Sequence, residues 1–349
     1  KPIKVNLKSQ KVFPSFIECH THTVFAGSRA DEFELRNTGT SYLEIAARGG
    51  GILSTVAKTR AASTKEMLKI SQARVNQFMR QGVSTIEIKS GYGLDTKTEI
   101  KMLTVAKKMK GPRIVTTYLG AHAKPKEFES YEKYLQDIIK NTLPILKKKK
   151  LSHRVDIFIE KNFFEKEAGQ KYLEEFQRQG FDVTIHANQL SQSGGAELAI
   201  ELKAKSADHV IQLSDETIQS FGKSKVVTVL LPTADLYMKC DYPQARKLID
   251  AGAMVALATD FNPGTSPTQD LMLVGLLARL KMGMTLPEVF KAYTINAAHA
   301  LGIEAEEGSI EVGKKANFIC TEADLTDFFY SAGSTPEHRL FIGGKQIKI

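Results

Sequence analysis

The sequence predicts a closed (β/α)8 barrel of the TIM type, and three observations carry that prediction. Short β-rich runs alternate with helical segments along the whole chain, and eight such strands can be read. Strand, helix, strand repeats imply right-handed crossovers and a parallel sheet, and eight repeats over 349 residues favour a barrel above an open doubly wound sheet. The G-x-G-x-x-G fingerprint of dinucleotide folds is absent after the first strand, and the chain's histidines gather at strand ends, where barrels of this type keep their chemistry.

The first strand, Ser15 to His22, is an apolar run that ends in two histidines one residue apart. Successive strand side chains point to opposite faces, so His20 and His22 emerge on the same side and can converge on one ion. Taken alone, H-x-H suits two ordinary surface histidines equally well. Ser63-Thr64-Lys65-Glu66 then reads as a capping box, Met67, Ile70, Val75, Phe78 and Met79 supply an apolar helical stripe, and Gly82 closes the helix. The second strand is Thr85 to Ser90, and Thr96-Lys97-Thr98-Glu99 repeats the capping pattern after it. Six further strands follow: Ile114 to Ala121, Val155 to Glu160, Asp182 to Ala187, Ser206 to Val210, Val226 to Thr233 and Val255 to Asp260.

Composition narrows the function classes. A hydrophobic content of 42% suffices for a large core, and the length suits one large domain, or a large domain with a small appendage. Cys19, Cys240 and Cys320 are widely spaced and odd in number, so neither a disulfide framework nor a zinc ribbon is expected, and a reducing cytoplasm fits best. No apolar run approaches the roughly 20 residues that span a bilayer, and Lys1-Pro2-Ile3-Lys4 opens no long apolar leader, so the chain reads as soluble and unexported. The net charge of +9 is spread along the chain, its one dense run being Lys147 to Lys150 at a helix end, and no nucleic-acid motif accompanies it. A solvated basic surface that favours a small anionic substrate is expected, without nucleic acid or membrane as partner.

The strand ends carry the residues suited to chemistry. His20 and His22 close the first strand, Tyr92 follows the second, His122 the third, Glu160 the fourth, His186 the fifth, His209 the sixth and Asp260 the eighth. Only His153, His299 and His338 of the eight histidines fall elsewhere. A mononuclear centre needs three or four protein ligands and an open position, and His20, His22, His186 and Asp260 form the natural set. A dinuclear centre would need a bridge at the fourth strand end, where Glu160-Lys161 stands; one divalent ion is the preferred reading. His209 is left as an imidazole suited to proton transfer, or as a satisfied buried histidine.

These residues resemble the amidohydrolase superfamily, from about Phe13 to Gly344. The H-x-H strand is generic to it. More specific are Phe25-Ala26-Gly27-Ser28-Arg29, Tyr42-Leu43-Glu44-Ile45-Ala46-Ala47-Arg48-Gly49-Gly50-Gly51-Ile52, Lys89-Ser90-Gly91-Tyr92-Gly93-Leu94, Ser206-Ala207-Asp208-His209 and Ala258-Thr259-Asp260-Phe261-Asn262-Pro263-Gly264-Thr265. The resemblance implies hydrolysis of the ring amide bond of 4-imidazolone-5-propanoate to N-formimidoyl-L-glutamate, with zinc or iron as the single metal. It makes His20, His22, His186 and Asp260 the ligands, and Arg29, Tyr92, His122, Asn262, Gly264 and Thr265 substrate contacts, with Tyr42 a weaker candidate. Chemistry supports Arg29 independently, because a guanidinium can bind a propanoate carboxylate bidentately.

On that reading Asp260 or His209 accepts the water proton, protonated His209 passes one to the departing ring nitrogen, and His122 binds the carbonyl oxygen. Some relatives carry Glu three residues after the third ligand histidine, where this chain has Gln189, which cannot titrate and is left to hydrogen bond the substrate. The strands around Gly308 to Ile319 and Leu340 to Ile347 are similar to the small β-domain that superfamily members build from both termini. The expected division is residues 1–14 and 306–349 for that domain and 15–305 for the barrel. With so few residues before the first barrel strand, the N-terminal half of the small domain is expected to be incomplete here, its strand pairing open. A homodimer is the oligomeric state allowed for. The rival readings are another mononuclear amidohydrolase, such as a deaminase of a cyclic amidine or purine, and a non-catalytic basic binding protein.

Overall fold

The computed structural model describes residues 6–7, 9–40, 44 and 50–348. Twelve strands occur among them: β1 (Lys11–Pro14), β2 (Phe16–Glu18), β3 (Val83–Lys89), β4 (Arg113–Ala121), β5 (Arg154–Ile159), β6 (Asp182–Ala187), β7 (Ser206–His209), β8 (Val227–Leu230), β9 (Val255–Leu257), β10 (Phe318–Thr321), β11 (Arg339–Ile342) and β12 (Lys345–Gln346). β2 to β9 form one parallel eight-stranded sheet in sequential order, with helices in the crossovers. Closure falls at the first and last strand ends, where Thr21 bridges Phe261 and the His22 amide donates to the Phe261 carbonyl at 2.9 Å. Glu18 strengthens the seam by accepting from the backbone N–H groups of His20 and Thr259. The expected barrel is therefore the observed one.

The core forms where apolar strand residues meet helix stripes. Phe16, Val83, Ile86, Val155, Ile157 and Ile185 are fully buried against Met67, Val75, Phe78, Leu103, Tyr172 and Phe176. Helix Thr64–Met79 starts at Ser63, whose side chain accepts from the Glu66 amide, as its sequence pattern predicts. The second capping pattern is corrected: Asp95, rather than Thr96, caps helix Thr96–Ala106, accepting from the Thr98 amide at 2.7 Å. Glu99 is thereby released from the cap, and its carboxylate turns back onto the preceding loop. The seventh barrel strand also ends early, at Leu230, because Pro232 opens a helix that takes in Thr233.

A second sheet, β1-β10-β11-β12, is antiparallel throughout and comes from both chain ends. Residues 11–14 pair with Thr321 to Phe318, so the short N-terminal segment does find a strand partner. Phe13 and Phe16 join the two sheets through an aromatic cluster with Phe290, Phe328 and Phe329, whose ring centroids lie 5.2–6.3 Å apart. No helix among the described residues is long and apolar enough to cross a membrane.

Candidate metal centre and substrate cavity

Four of the strand-end side chains converge. His20 Nε2 and His22 Nε2 each lie 3.4 Å from Asp260 Oδ1, and the His186 ring centroid is 4.6 Å from that of His20 and 5.6 Å from that of His22. Ligand atoms bonded at 2.0–2.1 Å to a tetrahedral zinc stand about 3.3 Å apart, so the spacing of the His20, His22 and Asp260 donors fits one ion, while His186 has the spacing of a second triad with His20 and His209. The donor chemistry agrees. His20 Nδ1 donates to Asp208 Oδ2 at 2.6 Å, which turns the lone pair of that ring to Nε2, and His186 Nδ1 lies 2.9 Å from Asp156 Oδ2, an ion-pair distance. The Nε2 atoms of both rings are buried and have no hydrogen-bond partner among the described residues. Burial opposes the charge on Asp260, but His20 and His22 hold its carboxyl well below the usual range.

His209 belongs to the same cluster. One of its nitrogens lies within 4.8 Å of ligand atoms of His20 and His186, and its Nδ1 is buried without a partner among the described residues. Burial pushes its pKa down to about 3, which makes it a neutral imidazole. The backbone is left-handed at His209 (φ 72°) and Val210 (φ 45°), and again at Asp260 (φ 51°), conformations that cost energy for such side chains and collect here at one rim.

Beneath these histidines lies a buried charge cluster. Lys89 Nζ is 2.9 Å from Asp156 Oδ2, 3.0 Å from Glu87 Oε1 and 3.5 Å from Asp208 Oδ2. Burial opposes the ammonium, but these carboxylates outweigh it and hold Lys89 above its ordinary range. Asp156, His186 and Asp208 have the mutual spacing of a metal site, yet the ammonium already occupies the space between the two aspartates.

The cavity above the centre is lined by Arg29, Tyr92, His122, Gln189, Asn262 and Thr265 together with His22, His186, His209 and Asp260. Arg29 is 6% exposed, with Nη2 at 2.7 Å from Glu32 Oε2 and Nε donating to the same oxygen. A Cβ on Gly264 would sit 2.0 Å from Arg29 Nη1, so only glycine leaves the guanidinium its place. Asn262 winds the loop that carries Gly264. Its Oδ1 accepts from the amides of Gly264 and Thr265, and its Nδ2 donates to the Asp260 carbonyl and to Thr265 Oγ1. The Asn262 amide is thus committed to its own loop, with Gly264 and Thr265 held beside Arg29.

His122 stacks on His22 at 5.1 Å, and its Nδ1 lies 3.0 Å from the Gly91 carbonyl. A carbonyl only accepts, so Nδ1 carries the proton. Burial pushes the His122 pKa well below its ordinary value, leaving a neutral ring whose Nε2 is an acceptor. Tyr92 packs beside both, 5.7 Å from the His22 ring and 5.4 Å from that of His122. Gln189 Nε2 contacts the Met238 thioether at 3.5 Å. Tyr42 lies outside the described residues. Glu160 is elsewhere: its carboxylate accepts from the amides of Lys161, Leu190 and Ser191, and Lys161 is exposed, so neither reaches the histidine cluster.

Sequence reasoning missed the apolar wall of Ile52, Phe158, Phe163, Leu190 and Met238, and the charged layer of Lys89, Glu87, Asp156 and Asp208. The second had a readable signal. Glu87 and Lys89 alternate inside a strand buried on both faces, where a charge must point into the barrel and be paired.

Fold and site together define a metal-dependent hydrolase with its centre at the C-terminal rim of a barrel. The chain belongs to the amidohydrolase family, whose model matches residues 12–347. Among curated relatives it is 56% identical over 342 residues to the imidazolonepropionase of Bdellovibrio bacteriovorus, covering 98% of this chain and 81% of that one. It is 43% identical to the imidazolonepropionase of Bacillus velezensis, covering 96% and 81%. Among solved structures it is similar to an adenosine deaminase from Xanthomonas campestris with bound zinc (TM-score 0.73, 17% identity, 97% of this chain and 80% of that one) and to E. coli guanine deaminase (TM-score 0.73, 14% identity, 98% and 85%). At these identities the two deaminases share the fold alone.

Proposed function

We propose that this chain hydrolyses the ring amide bond of 4-imidazolone-5-propanoate to N-formimidoyl-L-glutamate. The observation that carries the reading is the placement of Arg29 in the same cavity as His22, His186 and Asp260, with His20 buried behind them, which pairs a carboxylate anchor with a hydrolytic centre. The activity is that named for the imidazolonepropionases it resembles at up to 56% identity. One divalent ion, zinc or iron, is held by these four residues; the mixed nitrogen and oxygen set accepts either. When bound, such an ion supplies Lewis acidity, lowering the pKa of water from 15.7 to about 7.

The remaining steps fall to the chain's own side chains. Arg29, backed by Glu32 and seated on Gly264, takes the propanoate, and the apolar wall packs on the flat ring. Asp260 or His209 accepts a proton from the attacking water, whose oxygen bonds to the ring carbonyl carbon. The C–N bond breaks, and the proton reaches the leaving nitrogen from His209, which has taken it from the water directly or by way of Asp260. Expected from sequence to bind the carbonyl oxygen, His122 instead presents a lone pair at Nε2 and accepts from a ring N–H. Gln189 hydrogen bonds the ring. A boundary of the barrel at residues 15–305 with a terminal β-domain, a homodimeric assembly and a cytoplasmic location complete the reading.

The test is to follow loss of the imidazolone ring with purified protein, before and after chelation and after adding back zinc or iron. Ring opening that needs the metal, with no ammonia released from adenosine or guanine, is the expected result. Deamination without ring opening would favour the rival reading. His20→Ala and His186→Ala should each lose metal and activity while the barrel stays folded by circular dichroism; full metal occupancy in both would remove these residues from the centre.

A further inference from the structure

We propose that Lys89 is the positioning residue of the metal centre, clamping with one ammonium the two carboxylates that orient His20 and His186. The inference rests on the reading of those histidines as ligands. Two oxygens carry it. Asp156 Oδ2 is shared between Lys89 Nζ at 2.9 Å and His186 Nδ1 at 2.9 Å, and Asp208 Oδ2 between Lys89 Nζ at 3.5 Å and His20 Nδ1 at 2.6 Å. The His20 ring is thus hydrogen-bonded to one carboxylate and the His186 ring lies at ion-pair distance from the other, and both carboxylates are paired with the same cation.

The arrangement joins parts of the barrel that are far apart in sequence. His20 follows β2, Asp208 is on β7, Asp156 on β5 and His186 on β6, while Lys89 ends β3. Every member is buried, Lys89 to 1% exposure, so no water competes for the charges. Without the ammonium, Asp156 and Asp208 would face each other with like charge and no donor between them, and the rings they hold would lose their common reference. Outer partners of ligand histidines typically govern metal affinity by 10–100-fold. Acting against this, the ammonium also repels a bound dication, so the sign of the effect separates the two influences.

The experiment uses the full chain, stripped and reloaded with zinc against a competing chelator, and the visible spectrum after cobalt substitution. Lys89→Met keeps the stem and all four ligands. It should bind zinc about 10–100-fold more weakly and shift the cobalt ligand-field bands, effects that a merely structural ion pair would not produce. Because loss of one buried charge can itself unfold a protein, Lys89→Met/Glu87→Gln removes a charge of each sign and keeps the Glu87 acceptor to Thr21. That variant should fold, and still bind zinc weakly.

Wild-type zinc affinity and cobalt bands in either folded variant would overturn the proposal, as would tighter zinc binding. Failure of both variants to fold would also overturn it, placing Lys89 in the stability of the core alone. A wild-type chain that takes up no zinc or cobalt would fail at the earlier step, the ligand assignment itself.

Discussion

At Arg29 the chemistry of the cavity depends on space as much as on charge. The guanidinium lies where a side chain on residue 264 would begin, so Gly264→Ala should displace it and mimic a loss of the carboxylate contact. Arg29→Met should cost the propanoate substrate about 1.5–3 kcal/mol in kcat/KM beyond any loss on an analogue without the carboxylate. Equal losses on both compounds would show that Arg29 does not read that group. His209 is the other decisive residue. It is close enough to His20 and His186 to ligate, yet the proposed set of His20, His22, His186 and Asp260 is complete without it. His209→Asn should keep near-stoichiometric metal and lose about 100-fold in turnover, with Gln189→Glu restoring part of it if a carboxylate there can carry the proton. Loss of metal in His209→Asn would make it a ligand instead.

At the scale of an element, the loop from Gly91 to Leu94 shows how a helix terminus can build a site. Glu99, in the first turn of helix Thr96–Ala106, accepts from the amides of Gly91, Gly93 and Leu94 at 2.7–2.9 Å. The carbonyl of that same Gly91 sets the His122 tautomer, and Tyr92 is the residue between. Gly91 has φ 114°, and a Cβ there would meet His122 Nδ1 and the Leu119 carbonyl at 3.0 Å, so the turn needs glycine. Glu99→Ala should release the loop, raising KM while leaving metal content unchanged; unchanged KM in a folded variant would show that the loop holds its shape without the carboxylate. Asp95, which does not line the cavity and pairs with the part-exposed Arg60 at 2.9 Å, should cost about 1 kcal/mol on replacement by alanine, the usual effect of losing an N-cap, with kcat intact.

Over the whole molecule, the barrel and the sheet built from the chain ends are tied by Glu307. Its buried carboxylate accepts from Thr85 on β3, pairs with Arg113 at the start of β4 at 2.8 Å, and meets Lys315, just before β10, at 3.0 Å. Burial opposes its charge, but Thr85, Arg113 and Lys315 outweigh it and hold its pKa below the ordinary 4.5. A carboxyl with a depressed folded pKa contributes stability that is fully present above its unfolded value and is lost as pH falls through the folded one. Glu307→Gln should therefore unfold about 1–3 kcal/mol more easily at pH 7, and the gap to wild type should narrow below about pH 4.5. A gap independent of pH in denaturant titrations would show that packing, not charge, makes the connection.

What the sequence alone determined is the part of this protein written in local pattern. Alternating strands and helices specify the barrel, because periodicity and right-handed crossovers leave few other closures, and histidines at strand ends locate the rim. The seam between first and last strands, the sharing of Asp156 and Asp208 by Lys89, and the fit of Arg29 against Gly264 were decided only by the tertiary structure. These contacts join residues up to 241 positions apart, as Glu18 and Thr259 are, and no spacing along a chain encodes which of its strands will be neighbours in a ring. Glu99 marks the boundary between the two. Its position three residues after Thr96 predicts a capping box, and the fold overrides it because three buried amides of the adjoining loop need an acceptor more than the helix end, which Asp95 already serves.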